Sequence, residues 1–176
     1  VAHAIVRKMD VAAAIKMPGV VAVITGSDLA ADNIGGIPPV ASFNGRDGSP
    51  MFHATMPVLA AERVRYVGEA VAIVIAETVY QAQDAADRID VQYEQLAAAP
   101  NVERAMAKDA PVIWPEAPGN IALDWEYGDA AAADAAFARA AHIERVRLID
   151  TRVAPSTMEP RAAIASFDAQ SQRYTL

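Results

Sequence analysis

Residues 70–96, AVAIVIAETVYQAQDAADRIDVQYEQL, carry the reading that decides the fold class. Val71 to Ala76 is a short apolar run rich in β-branched side chains, the pattern of a buried strand. It falls far short of the roughly 20 residues that span a bilayer. Thr78 and Gln81 then stand at capping-box spacing, so a helix is expected to open at Val79. Val79, Ala82, Ala85, Ala86 and Ile89 share one helical face, and Val91 to Leu96 reads as the next strand. Strand, capped helix and strand in that order predict a parallel or mixed sheet, with these residues the best protected of the chain.

Upstream, the same alternation of short strands and helices continues. His3 to Lys8 reads as a strand, and Asp10 can cap a short helix through Lys16. Pro18-Gly19 ends that helix and releases Val20 to Ile24 as an apolar strand, followed by a turn at Ser27-Asp28-Leu29. From Ala31 to Met56 the text turns rich in Gly, Pro, Asn and Asp, with no periodicity. So long an irregular stretch is expected to be a functional contact loop. Arg63 to Val67 reads as a strand that joins Ala70 to Ala76 through a hairpin turn at Gly68-Glu69.

Downstream, Ala97 to Gly119 holds Pro100, Pro111, Pro115 and Pro118 and reads as an ordered strap with one short helix over 102–108. Ile121 to Tyr127 alternates like a strand. Asp129 is placed to cap an alanine-rich helix over 130–140, and His142 to Arg152 alternates again. Ala162 to Phe167 and Arg173 to Leu176 form a predicted hairpin around Asp168-Ala169-Gln170-Ser171. The class is therefore α+β, divided into a first domain over 1–97, a proline-rich linker over 98–119 and a second domain opening at 120–176.

Composition narrows the functions on offer. The 176 residues carry a net charge of −7 and no basic stripe, which disfavours nucleic acid. Without cysteine there is no disulfide framework, thiolate metal site or cysteine nucleophile. The opening Val1-Ala2-His3 shows neither an initiator Met nor a basic leader, so the chain reads as an excerpt of a longer, cytoplasmic protein.

No catalytic, cofactor-binding or metal-ligating residue is assigned. His3, His53 and His142 lie on different elements without the close paired spacing of a zinc site. Ser156 and Thr157 lack a nucleophile elbow and read as turn caps. Gly35-Gly36 lacks the third glycine and following helix of a dinucleotide fingerprint, which disfavours a flavin or nicotinamide enzyme of alternating type. Met158-Glu159-Pro160-Arg161 places two charges around a rigid proline and reads as a turn locked by an ion pair.

The order of these pieces resembles one family. Residues 120–168, NIALDWEYGDAAAADAAFARAAHIERVRLIDTRVAPSTMEPRAAIASFD, follow four upstream stretches. These are His3-Ala4-Ile5; Pro18-Gly19-Val20 with Val23 and Ser27-Asp28-Leu29; Val64-Arg65-Tyr66-Val67-Gly68-Glu69; and Ala76-Glu77-Thr78. Together they are similar to the molybdopterin-binding large subunit of the xanthine dehydrogenase, aldehyde oxidase and aerobic carbon monoxide dehydrogenase family. Ala70 departs from the proline common there.

The resemblance implies an α/β hammerhead domain followed by the first strands of the molybdopterin-binding domain. It implies an enzyme that hydroxylates an aldehyde, purine or N-heterocycle, or oxidises carbon monoxide, with water as oxygen source. A molybdenum-pterin cofactor carries that chemistry, and iron–sulfur and flavin subunits or domains take the electrons. The family's molybdenum-contacting glutamine, glycine-rich loop and general-base glutamate are expected beyond Leu176. This stretch is thus expected to be a scaffold that binds no cofactor alone, within an oligomeric enzyme acting on a small molecule. The alternative is a non-catalytic interaction domain derived from the same family.

Overall fold

The computed structural model describes residues 1–149 and 163–176. Residues Val1–Gly128 form one compact unit and Asp129–Leu176 a second.

The first unit is built on two antiparallel sheets. β1 (Ala4–Asp10) is the middle strand of one, with β3 (Arg63–Val64) and β5 (Asp90–Gln95) on its two edges. β2 (Val20–Thr25) pairs with β4 (Ala72–Ala76) in the other. Helix α1 (Ala12–Ile15) links β1 to β2 and is shorter than predicted; its N-cap is Val11, without a side-chain cap, and Asp10, one residue before it, accepts the Ala12 amide at 3.1 Å. Helix α2 (Gly26–Ala31) replaces the expected turn at Ser27. Thr25 and Asp28 form a full capping box that satisfies two orphan amides. Gly26 is required there, because a Cβ would meet Ala61 N at 2.7 Å and Leu59 O at 2.8 Å.

Strand β4, helix α3 (Val79–Ala86) and strand β5 occur where residues 70–96 predict them. Thr78 caps α3 by accepting the Gln81 amide at 3.3 Å. The pairing differs from the prediction. β4 and β5 lie in different sheets, every ladder among the described residues is antiparallel, and no parallel pair links the two. The hairpin through Gly68-Glu69 is likewise absent, because β3 pairs with β1 and β4 with β2. Hydrophobic periodicity reports which face of a strand is apolar and not which edge it meets. The strand is also less covered than its composition suggests, since Ile73 and Ile75 are each 43% exposed. Of the predicted helical face, Ala85 is buried while Val79 and Ala86 stand in solvent.

The buried set consists mainly of small residues: Ala4, Ala14, Leu59, Ala60, Val64, Ala85 and Ala117. Ala4, Ala60 and Val64 form its centre, with Val6 and Val71 packed against them. His3 is buried beside them, its Nδ1 2.7 Å from Ala97 O. Beyond Ala31, the last residue of α2, residues 32–56 carry no helix or named strand. They are held instead by isolated bridges, Ile37 to Met56 and Asn44 to Pro50. Helix α4 (Val102–Met106) opens on Asn101, whose side chain accepts the Arg104 amide at 2.9 Å.

In the second unit, α5 (Ala130–Arg139) opens on Asp129 as predicted, with Oδ1 accepting the Ala132 amide at 2.8 Å. β6 (Ser166–Asp168) and β7 (Arg173–Thr175) form the expected hairpin, shorter than the sequence suggests. Two predicted strands do not form: 121–127 in the first unit and the described part of 142–152 in the second are irregular. Alternation there marks a polar and an apolar side, but neither segment finds a ladder partner among the described residues. Ser156, Thr157 and the Met158-Glu159-Pro160-Arg161 turn lie outside the described residues.

Candidate functional site

The polar features of the first unit gather where the proline-rich strap meets the loop over 31–56. Asn120 organises the strap. Its Oδ1 accepts the Ile113 amide at 2.8 Å, and its Nδ2 donates to Ala105 O and Pro111 O, both at 2.9 Å. It does this from a left-handed backbone (φ 55°), a conformation that Asn tolerates better than most residues. Prolines leave this stretch few backbone donors of its own, so one side chain closes the turn that a ladder would otherwise close.

The loop is tied to residues 122–126 by backbone and side chain together. Arg46 N donates to Asp124 O at 2.8 Å and Phe52 N to Ala122 O at 2.8 Å. The Arg46 guanidinium pairs with Asp124 and Glu126, which raise its pKa, Asp124 most. Asp47 turns back on Ser49, and the two hydrogen bonds it accepts hold its carboxyl below the usual range. On the same segment Trp125 stacks on Tyr127 with centroids 6.0 Å apart, and Phe43 tilts against Trp125 at 6.3 Å.

Two cavities flank the strap. One of about 620 Å³ is lined by Arg46, Asp47, Phe52, Glu116, Ile121 and Asp124 among others. With Arg46 committed to its two carboxylates, its free charge is negative. A second, of about 480 Å³, is lined by Ile5, Pro57, Ala60, Glu62, Arg63, Arg65 and Glu116 among others. Arg65 lies over Trp114, its guanidinium carbon 3.7 Å from the ring centroid, and Trp114 in turn tilts against Phe52 at 5.8 Å. Glu69 folds back on this segment and accepts the Arg65 amide.

Among the described residues no three His, Asp or Glu side chains converge as metal ligands. His3 is buried on Ala97, His53 meets Ser42 at 3.2 Å, and His142 pairs with Glu144 at 2.6 Å in the second unit. Gly35-Gly36 sits in the loop, where a Cβ on Gly36 would strike Met56 O at 2.6 Å. Its role is close backbone approach. The acidic lining of the larger cavity is a poor match for a pterin phosphate.

The sequence reading named no site residue, and it passed over Asn120, Arg46 and the Arg65–Trp114 stack. Asn120 carried a faint signal, a lone Asn closing a proline-rich stretch. The others join residues far apart in the chain and had none.

Known proteins supply the context. The family profile described as aldehyde oxidase and xanthine dehydrogenase, a/b hammerhead domain, matches residues 1–97. The molybdopterin cofactor-binding domain profile matches residues 113–176. The carbon monoxide dehydrogenase large chain of Afipia carboxidovorans is 32% identical over 99% of this chain and 22% of its own length. The nicotine 6-hydroxylase large subunit of Paenarthrobacter nicotinovorans is 33% identical over 99% of this chain and 20% of its own. Among solved structures, the reconstituted CO dehydrogenase from Oligotropha carboxidovorans superposes with a TM-score of 0.64 at 31% identity. It covers 80% of this chain and 18% of that one. The chain thus spans about a fifth of the length of the relatives it matches. An α+β hammerhead followed by the start of a molybdopterin-binding domain, in the order those relatives share, makes this chain a member of the aldehyde oxidase and xanthine dehydrogenase family.

Proposed function

We propose that this chain is the scaffold portion of a molybdenum hydroxylase large subunit, with the hammerhead over 1–97, a strap over 98–119 and the start of the cofactor-binding domain over 120–176. The complete enzyme inserts a water-derived oxygen into a small molecule, or oxidises carbon monoxide, in the cytoplasm. It passes electrons to iron–sulfur and flavin subunits or domains. The molybdenum-pterin group, when bound by the complete subunit, supplies the two-electron oxidation; the residues described here position neighbouring elements.

The observation that carries this reading is the pair of profile matches in one chain, in order and nearly end to end.

Expression of the complete polypeptide with its cofactor machinery tests the proposal. It should carry molybdenum and pterin near one per subunit and reduce an acceptor dye with carbon monoxide, an aldehyde, a purine or an N-heterocycle. The 176-residue chain alone should carry neither. A complete polypeptide devoid of molybdenum and inert to all four classes would leave only a non-catalytic role.

A further inference from the structure

Three exposed or half-buried arginines of the first unit differ in how their charge is answered. Arg7 pairs with Glu94 across β1 and β5, and Arg46 pairs with Asp124 and Glu126. Arg65 is the more buried case, and although Glu69 accepts its backbone amide, its side chain is not paired in the same way. Its Nε is shut off from solvent without any hydrogen-bond partner, and among the described residues its guanidinium forms no ion pair. Burial lowers its pKa, opposed by Glu69 and then Glu116, with Arg63 adding to the lowering. A guanidinium remains charged through any such shift at neutral pH, so the cation is there to be answered.

The surroundings hold that cation ready. Trp114 lies 3.7 Å from its guanidinium carbon, and Arg65 lines the 480 Å³ cavity. Arg63, two residues along, lines the same cavity. Glu62 and Glu116 also border it, but both are exposed to water, where a carboxylate is solvated without a partner. Two positive charges, one of them half-desolvated and pre-oriented, make a planar fork that matches a pair of oxygens on one acid group.

We propose that the cavity beside Trp114 is an oxyanion-binding site, in which Arg65, assisted by Arg63, receives a carboxylate or phosphate through two parallel N–H···O bonds. The shared chemistry is one anionic group presenting two oxygens. Its source is either a free anion or an acidic side chain from elsewhere in the complete protein.

The test is a crystal structure of the complete polypeptide together with calorimetric titration of inorganic phosphate at low ionic strength. Oxyanion oxygens within hydrogen-bond distance of the Arg65 Nη atoms are expected. If the anion is free, phosphate should titrate, and both Arg65→Leu and Arg65→Lys should weaken it at least tenfold, because lysine keeps the charge but loses the fork. If it is a protein carboxylate, phosphate should not titrate and the structure should show that side chain on Arg65. Only water on the guanidinium, or Arg65 turned onto Glu62 or Glu116, overturns the proposal. Should Arg65→Leu fail to fold, the wild-type structure and Arg65→Lys decide it.

Discussion

The two units differ in how their secondary structure is held. In Val1–Gly128 each strand meets a partner, helices α1, α2 and α3 pack on strands, and even the irregular loop over 31–56 is bonded to residues 122–124. In Asp129–Leu176 the helix is capped and the hairpin closed, yet every described residue is exposed. Ile143, Val146, Leu148, Ile149, Ile164 and Tyr174 are large apolar side chains open to solvent. Local signals such as caps and turns suffice to shape α5 and the β6–β7 hairpin. They do not bury apolar area, and short isolated helices and two-stranded hairpins are marginal in water. The second unit therefore depends on cover that the first unit partly provides for itself.

One residue type in both units tests this contrast most strongly. Leu59 is 4% exposed and Leu148 is 87% exposed. Leu59→Ala should cost about 3 kcal/mol, whereas Leu148→Ala should stay within about 0.5 kcal/mol in the 176-residue chain. In the complete polypeptide the Leu148 cost should rise to about 2 kcal/mol as that side chain is covered. Urea midpoints for both variants in both contexts measure this. Equal, small effects of Leu148→Ala in the two contexts would mean that the second unit stays uncovered in the full protein.

Asn120 offers a smaller effect inside the first unit. Replacing it by Ala strands the Ile113 amide and two carbonyls and removes a side chain suited to positive φ. The expected loss is about 2 kcal/mol. It should appear as faster hydrogen exchange across 105–121, with β1 and β5 unaffected. Uniform loss of protection across the sheet would instead show that strap and sheet unfold together.

At the next level down, Asp129→Ala removes the cap of α5 and should cost about 1 kcal/mol. Because nothing else in that helix is buried, the loss should show almost wholly as reduced helicity at 222 nm. Thr78→Ala removes the equivalent cap of α3, but that helix packs on β4 and should keep its helicity. A similar fall in both would erase the distinction between the units.

These caps mark what could be read from the chain. Asp129 and Thr78 sit before helical periodicity, and each bonds the amide three residues on, because capping is a local matter of side-chain reach. Strand pairing is not local. The apolar run Val71 to Ala76 was recognisable as a strand, but its partner β2 lies some fifty residues upstream and no turn signal specifies that choice. The alternation of 121–127 and 142–149 was equally visible and misleading. It records a surface prepared for covering, and among the described residues no strand edge arrives to meet it. The site residues were hidden for a related reason. Arg65, Trp114 and Phe52 meet only once the loop and strap are folded together, and their spacing in sequence carries no period.

The smallest expected effect concerns acid stability at the start of α2. Asp28 accepts the Thr25 hydroxyl and the Thr25 amide, each at 2.7 Å, and these bonds lower its pKa below the ordinary aspartate value of 3.8. A carboxyl whose folded pKa is depressed contributes stability that is complete above its unfolded value and is lost as pH falls through the folded one. Asp28→Asn keeps an acceptor oxygen for the amide but removes the charge. The wild type should therefore exceed the variant in urea midpoint by a constant margin at neutral pH, and the margin should close as pH drops below 3.8. Salt should shrink it at every pH, because the group is exposed and its interaction with the helix terminus is screened. A margin that persists unchanged to pH 2, below the carboxylate range, would show that the hydrogen-bond geometry and not the charge makes the cap.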